Sequence, residues 1–258
     1  MVSTHKLYTP IWPDNNHAGG GVLQYDMGKW KDDNKFRIES YLNKPSKILS
    51  KAIELLQSHH DFGEGKMTQY INDMNIKSRK LPGLRGYRFP GRDQDQLFKS
   101  DYPHAGGEDC SACDATQVEK RISRESNDPV IHYGLIASGN AVMRSAQRRD
   151  ELRDLWGVAC FEMEAAGLMD DFPCVIIRGI CDYSDAHKHK DWQPYSAVAA
   201  AAYAKDLLRV IHPLEVENME AAAKMIEQCE SIQLSYGLII LRHSHFRWKQ
   251  PSNSRSSL

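Results

Sequence analysis

The chain has 258 residues, with 33 basic and 34 acidic side chains and a formal net charge of −1. This balance provides no positively charged surface for a nucleic acid, so a nucleic-acid partner is not expected. No apolar run reaches the roughly 18 residues that a membrane-spanning helix needs, so no membrane association is expected either.

The amino terminus and the cysteines both favour a cytoplasmic location. Met1–Pro10 lacks the charged-then-apolar layout of a secretory signal peptide. Of the six cysteines, Cys160, Cys174 and Cys181 lie inside apolar runs. Such cysteines are typical of small buried hydrophobic residues in a reducing compartment, not of a disulfide framework.

Few clear elements are predicted before residue 45. Met1–His17 is polar and interrupted by prolines, with no predicted element. Gly19–Gly21 precedes the residues V-L-Q. Because no strand comes before these glycines, they indicate a turn that leads into a strand, not a phosphate-binding loop. Lys29–Lys35 is predicted to be a charged turn. Pro45–His60 has helical spacing, with Ser46 as its cap.

The next stretch is predicted to be irregular. Phe62–Asp101 is polar and broken by two Pro-Gly pairs, and we interpret it as surface structure near a site or at an oligomer face. Cys110 and Cys113 follow as a C-x-x-C pair, with His104 nearby. Zinc sites usually need four ligands, and a second such pair is absent. The sequence therefore favours a loop with two reduced thiols, and no metal site is predicted.

Three apolar runs dominate the stretch from Val130 to His187. They are Val130–Ala137, Val158–Phe161 and Cys174–Ile180. Runs with little polar alternation are typical of parallel strands that are covered on both faces. Helix-like segments, Ala141–Leu155 and Met163–Met169, separate them. The pattern predicts a β-α-β-α-β unit with right-handed crossovers.

Small and polar residues follow each of these runs. Ser138–Asn140, Glu162–Glu164 and Cys181–Asp182 come at three successive strand ends. Ligands of open α/β sheets bind at the carboxyl ends of the strands, so these residues predict a site. The alternative for each residue alone is a helix cap or a turn.

The carboxyl-terminal third is predicted to be helical and then disordered. Arg144–Arg153 is densely charged, which favours a solvated helix face over an anion site. Pro194–Ile211 is amphipathic, with Pro194 in the first turn. Glu215–Glu230 predicts a weaker helix, and the basic, Ser-rich chain beyond Leu241 is predicted to be disordered.

The motifs F-E-M-E-A-A at Phe161–Ala166 and V-I-I-R-G-I-C-D-Y-S-D at Val175–Asp185 resemble the nucleoside phosphorylase and nucleosidase superfamily. The nearest branch is the methylthioadenosine/S-adenosylhomocysteine nucleosidases and their fungal relatives. In those fungal proteins a similar domain often precedes signalling or repeat modules. The resemblance runs from Gly19 to Ile211.

The resemblance implies an α/β fold with three α/β/α layers around a mainly parallel, mixed sheet. It divides the chain into an unmatched segment (1–18), a phosphorylase-like domain (19–213), and a helical extension with a basic tail (214–258). In the family, the first half of the domain comes before the G-G-x-x-Q-Y-D-x-G-K stretch. Only about 18 residues precede it here, which predicts a partial domain from an incomplete gene model or a degenerate paralogue.

The resemblance also assigns roles in cleaving a purine N-glycosidic bond. Asp182 matches the general acid that protonates the leaving base. Glu164 matches the residue that binds the ribose hydroxyls, and Met163 matches the residue that packs on the sugar. An acid with this role at neutral pH needs a raised pKa, so Asp182 is expected to be partly buried. Cys181, beside it, belongs to the predicted substrate-binding set.

The sequence differs from the family at the residues that are expected to contact the purine base. Bacterial nucleosidases place a stacking aromatic residue after S-G-D-A, whereas here S-G-N-A is followed by Val142 and Met143. This aliphatic pair is expected to stack less strongly on a purine. Phe161 is the candidate to replace the stacking aromatic residue. No cofactor is expected, and phosphate as a co-substrate stays open. The expected partners are a purine nucleoside and, in a homo-oligomer, another copy of the chain.

Three interpretations follow from the sequence. The first is an enzyme that cleaves purine nucleosides by hydrolysis or phosphorolysis. The second is a nucleoside-binding or signalling module that keeps the site without turnover. The third is a truncated chain that does not fold alone and needs a partner to cover its exposed sheet edge.

Overall fold

The computed structural model describes residues 21–32, 36–39 and 42–213, and the backbone of residues 6–9. The chain divides into two units, Met1–Ile211 and His212–Leu258. The predicted helix at Glu215–Glu230 and the tail beyond Leu241 lie outside the described residues. None of the helices in the described part is long and apolar enough to cross a lipid bilayer.

Eight strands and five α-helices form in the described chain, and strands and helices alternate from Leu135 onward. The strands are β1 (Lys6–Thr9), β2 (Val22–Gln24), β3 (Gly28–Trp30), β4 (Phe36–Ile38), β5 (Val130–Tyr133), β6 (Leu135–Ser138), β7 (Val158–Glu162) and β8 (Arg178–Gly179). The helices are α1 (Lys47–Asp61), α2 (Met67–Lys80), α3 (Ala146–Trp156), α4 (Ala165–Asp171) and α5 (Trp192–Val210). Short 3-10 turns lie between α2 and β5 at Pro82–Tyr87, Arg92–Gln94 and Ala115–Gln117.

The sheets are mainly parallel, so the fold is a mixed α/β fold as predicted. One sheet has the order β5-β1-β8, in which β1 is parallel to β5 and antiparallel to β8. The other has the order β2-β6-β7, with all three strands parallel. β3 and β4 form a separate antiparallel pair. The three-layer phosphorylase arrangement stays a prediction.

Two of the three predicted strands differ from expectation. Val130–Ala137 is divided at Gly134 into β5 and β6, because the two halves pair with different neighbours, β1 and β2. In the described part, Cys174–Ile180 contributes only the short β8, which runs antiparallel to β1. The preceding residues still alternate between two cores: Val175 and Ile177 pack on one, Cys174 and Ile176 on the other.

Three regular elements form where the sequence predicted none. Lys6–Thr9 lies in the middle of a sheet, although Met1–His17 was expected to have no element. Lys29–Lys35 was predicted to be a turn, but its first residues belong to β3, which pairs with β4. Helix α2 lies inside the supposedly irregular Phe62–Asp101. Its buried residues, Met67 and Ile71, join the core that α1 and α5 form.

The sequence correctly predicted residues at the amino-terminal ends of two helices. The Ser46 side chain accepts a hydrogen bond from the Leu49 amide at 3.3 Å and caps α1. Pro194 lies in the first turn of α5, where its missing amide costs no helical hydrogen bond. Such signals depend on residues close in sequence, which is why they can be read without the tertiary structure.

The helical core is held by a buried carboxylate at Asp206 on α5. Its Oδ2 accepts hydrogen bonds from the amides of Lys66 (2.7 Å) and Met67 (3.2 Å), at the start of α2. The same oxygen lies 3.0 Å from Nε2 of His60 on α1, and Oδ1 pairs with Arg209 at 2.9 Å. Asp206 therefore joins three helices at one point. Burial lowers the pKa of His60, an effect that the Asp206 charge opposes.

We expect Asp206→Ala to destabilise the protein by about 3 kcal/mol, because it leaves buried amides and an arginine without their acceptor. Thermal melts should show a clear loss of Tm. The matched control is Asp73→Ala on the exposed face of α2, which should change stability by less than about 0.5 kcal/mol. Equal melts for the two variants would contradict the anchoring role.

Candidate active site

The carboxyl ends of three parallel strands meet at one edge of the second sheet. Gln24 on β2 is paired with Ser138 on β6, and Ser138 is paired with Glu162 on β7. This register places three polar side chains next to one another at the end of the sheet. It is the position at which open α/β sheets bind ligands.

Two of these side chains hold the start of helix α4. Glu162 Oε2 accepts hydrogen bonds from the amides of Glu164 (2.8 Å) and Ala165 (2.7 Å). Ser138 Oγ accepts one from the Ala166 amide at 3.0 Å. Both residues are buried. The sequence drew attention to Glu164, but the buried carboxylate that anchors the helix belongs to Glu162.

One carboxylate oxygen of Glu162 does not take part in these hydrogen bonds. Its Oε1 is buried and has no hydrogen-bond partner among the described residues. A buried carboxylate oxygen without a donor is unfavourable, so this atom is a candidate to accept a hydrogen bond from a ligand.

The S-G-N-A loop after β6 is held by residues that follow β2. Asp26 Oδ2 accepts hydrogen bonds from the Asn140 amide (2.7 Å) and side chain (3.0 Å). The Tyr25 hydroxyl donates to the Ala141 carbonyl at 2.9 Å. A Cβ at Gly139 would lie 2.6 Å from the Tyr25 ring, so a larger residue at this position would have to displace that ring. The Tyr25 and Phe161 rings meet edge to face at 5.8 Å.

Asp182 lies just past β8, and its side chain is 16% exposed, which matches the expected partial burial. Its Oδ1 accepts a hydrogen bond from the Ser184 amide at 2.8 Å. Its Oδ2 lies 3.2 Å from Lys188 Nζ and 3.6 Å from Cys181 Sγ. Burial and the Asp182 charge raise the pKa of Cys181, so this thiol stays protonated and donates to the carboxylate.

The predicted site residues separate into two groups. Phe161, Cys181 and Asp182 line one narrow cavity of about 20 Å³, roughly the space of one water molecule. The other predicted residues are absent from the lining of this cavity: Val142, Met143, Met163 and Glu164. Glu164 is exposed, and its Oε2 accepts a hydrogen bond from the Met163 amide at 3.1 Å.

A larger cleft of about 320 Å³ adjoins this cavity, and both are lined by Arg149, Arg153 and Tyr183. Lys120 and Arg121 add two more cationic side chains to the cleft. Glu119 and Asp150 also line it, and Asp150 pairs with both Arg149 and Arg153.

Arg149 is buried, whereas the sequence favoured a solvated face for the helix that carries it. Its guanidinium donates to the Tyr183 carbonyl at 2.8 Å and lies 3.4 Å from the Asp185 carboxylate. It also donates to Ser100 Oγ at 3.2 Å. One side chain thus connects α3, the loop after Asp182 and the long segment before β5.

That long segment contacts the Asp182 loop at a second point. The Tyr183 hydroxyl donates to Asp95 Oδ1 at 2.6 Å, and Arg121 contacts both residues. Trp192, at the start of α5, donates to the Gln94 carbonyl at 3.0 Å. This part of the chain therefore packs against the residue next to Asp182, and its expected place near a site or at an oligomer face stays a prediction.

We expect Glu162→Ala to destabilise the protein by about 1–3 kcal/mol, because two buried amides of α4 lose their acceptor. Denaturant unfolding measures the change. Asp170→Ala, an exposed residue of the same helix, is the control and should alter stability by less than about 0.5 kcal/mol. A Glu162→Ala protein as stable as this control would contradict the anchoring role.

Comparison with known proteins identifies two kinds of relative. The chain is 44% identical over 195 residues to a nucleotide-binding leucine-rich repeat (NLR)-like protein of the fungus Hyaloscypha variabilis, a match that covers 75% of this chain and 19% of that protein. It is 34% identical over 105 residues to the ATP nucleosidase Cap17 of Escherichia coli, covering 37% of this chain and 21% of Cap17.

These matches are partial. The chain spans about a fifth of the length of the curated relatives it matches. No family model matches the chain, and no solved structure matches it significantly. The chain is therefore similar to part of a fungal NLR-like protein and to part of a protein named as an ATP nucleosidase.

Proposed function

We propose that this chain cleaves the N-glycosidic bond of purine nucleosides or nucleotides, with Asp182 as the general acid. The observation that carries the proposal is the partly buried Asp182 carboxylate, which shares a cavity with the Phe161 ring. The partial similarity to an ATP nucleosidase supports the same reaction type.

The reaction builds positive charge on the sugar and negative charge on the departing base. In the hydrolytic form, the C1′–N bond breaks while Asp182 gives its proton to a ring nitrogen of the base. The oxygen of a water molecule bonds to C1′. The proton that this water loses replaces the proton that Asp182 gave to the base. Lys188, 3.2 Å from Asp182 Oδ2, is close enough to return a proton to the carboxylate.

Glu164 and Met163 are proposed to hold the sugar, with Glu164 accepting hydrogen bonds from the ribose hydroxyls. The exposed Glu164 carboxylate can bind a ligand without first breaking a buried contact. Val142 and Met143 follow the S-G-N-A loop as the aliphatic residues near the base, and the Phe161 ring supplies aromatic contact.

The adjoining cleft favours a phosphorylated substrate. Its Lys120, Arg121 and Arg153 side chains can neutralise a phosphate chain, and its volume of about 320 Å³ leaves room for one. ATP is the first compound to test, since the bacterial relative is named for cleaving it. Whether water or phosphate attacks C1′ is decided by assays with and without phosphate.

A nucleoside-binding module without turnover is the second candidate. The ion pair between Asp182 and Lys188 favours it, because it engages the carboxylate that must act as the acid. Thermal stabilisation by a nucleoside without base release would support this alternative.

We expect Asp182→Asn to lower base release at least 100-fold, because the amide cannot supply the proton that the base needs. The assay follows base release from ATP, AMP, adenosine, methylthioadenosine, inosine and guanosine. Asp73→Asn, an exposed residue on α2, is the matched control and should keep full activity. An Asp182→Asn protein as active as wild type would overturn the acid assignment.

We expect Glu164→Gln mainly to weaken nucleoside binding, because a neutral amide holds ribose hydroxyls less strongly than a carboxylate does. Binding is measured by calorimetry on the protein with Asp182→Asn, which prevents turnover. Glu151→Gln on α3 is the control, since its side chain is 63% exposed. If affinity is the same in all three proteins, the ribose role belongs to another residue.

A further inference from the structure

We propose that His104, Cys110 and Cys113 form a zinc-binding site, separate from the nucleosidase residues. Each of the three offers a ligand atom, and these atoms all lie within 4.8 Å of one another. All three residues are partly buried. The C-x-x-C pair alone was weak evidence, because the sequence could not show how close His104 lies to it.

The separation of these atoms suits a tetrahedral metal. Zinc binds thiolate sulfur at about 2.3 Å and imidazole nitrogen at about 2.0 Å, which places neighbouring ligand atoms roughly 3.5–4 Å apart. A small contraction of the loop therefore closes the site. Zinc is the metal that two cysteines and a histidine favour, since it combines thiolate and imidazole ligands in this geometry.

The local backbone is already shaped for metal binding. The Cys113 amide donates to the Cys110 carbonyl at 3.1 Å, so a tight turn brings both side chains to one side. The cysteines are free thiols, as zinc ligation needs. His104 Nε2 lies 3.1 Å from the Asp109 carbonyl, and a hydrogen bond there makes Nδ1 the acceptor nitrogen of the ring. The Gly106 amide donates to Nδ1 at 3.0 Å, so zinc binding would replace this hydrogen bond with a metal bond.

His187 is the independent observation that points to a ligand. Its side chain is buried, with 7% of the residue exposed, and its Nε2 has no hydrogen-bond partner among the described residues. Its ring centre lies 5.2 Å from that of His104, and it stacks on Phe98 at 4.3 Å. A buried imidazole nitrogen without a donor or acceptor is costly, and a metal bond would satisfy it. The atoms that lie within 4.8 Å of one another belong to His104, Cys110 and Cys113, so the His187 side chain would have to shift toward them to take the fourth ligand position.

This arrangement would connect two distant parts of the chain. His104, Cys110 and Cys113 belong to the segment before β5, and His187 follows Asp182 by five residues. Closed zinc sites stabilise the fold that holds them. The metal would thus fix the loop that carries Asp182 without contacting the substrate.

The experiment measures zinc in the full chain, purified without metal-chelating resin, by elemental analysis. We expect about one zinc per chain. Cobalt(II) added to the metal-free protein should produce thiolate-to-cobalt charge-transfer absorption and the visible bands of tetrahedral cobalt. These readouts do not depend on nucleosidase activity, so they stay informative if the proposed reaction is wrong.

Variants then identify the ligands. Cys110→Ser, Cys113→Ser and His104→Ala should each lower zinc affinity at least 10-fold, whereas Cys174→Ser, a partly buried thiol outside the cluster, should retain it. His187→Ala should weaken zinc binding, with His189→Ala as the matched imidazole control. Affinity that falls in His189→Ala instead would overturn the assignment of His187.

Two results on the wild-type protein would overturn the whole site. One is a chain that contains no zinc and binds cobalt without thiolate absorption. The other is a native Cys110–Cys113 disulfide, detected by mass spectrometry of protein purified without reductant. Both use wild-type protein, so a variant that fails to fold does not prevent the test.

Discussion

The position of the proposed acid depends on the buried guanidinium of Arg149. This side chain binds the Tyr183 carbonyl, the Asp185 carboxylate and Ser100, and it brings α3 and the segment before β5 against the loop that follows Asp182. A buried arginine is tolerated only when its donors are satisfied, so these partners constrain one another. The loop is thereby held against α3 and the segment before β5, although β8 itself contributes only two paired residues.

A second constraint operates at the start of α4. Glu162 and Ser138 come from neighbouring parallel strands, and both accept hydrogen bonds from the first amides of the helix. The helix that begins at the proposed ribose-binding Glu164 is therefore placed by the sheet itself. The structural carboxylate of Glu162 and the carboxylate of Glu164, which we propose to bind the ribose, lie two residues apart. Glu162 is buried and Glu164 is exposed.

The segment between α2 and β5 packs against the loop that follows Asp182. Asp95 and Arg121 hold Tyr183, and the ring of His104, one of the proposed zinc ligands, lies 5.2 Å from that of His187. Both contacts reach residues that follow Asp182 along the chain, Tyr183 and His187. A nucleosidase-type site built in this way would have its acid placed by side chains far away in sequence, and a substrate cleft bounded by the same segment.

The sequence by itself determined what depends on near neighbours: the apolar runs of β6 and β7, the Ser46 cap, the amphipathic α5 and the polar residues at the strand ends. The resemblance of its motifs led to the proposed nucleosidase reaction, and the partial burial expected for Asp182 is present in the structure. The tertiary structure decided which side chains meet. It buried Arg149, which a charged helix pattern placed in solvent, paired Lys6–Thr9 with strands more than a hundred residues away, and brought His104 to the C-x-x-C turn. The physical reason is that periodicity and capping act over a few residues, whereas burial and hydrogen bonding are settled by whichever distant segments pack together.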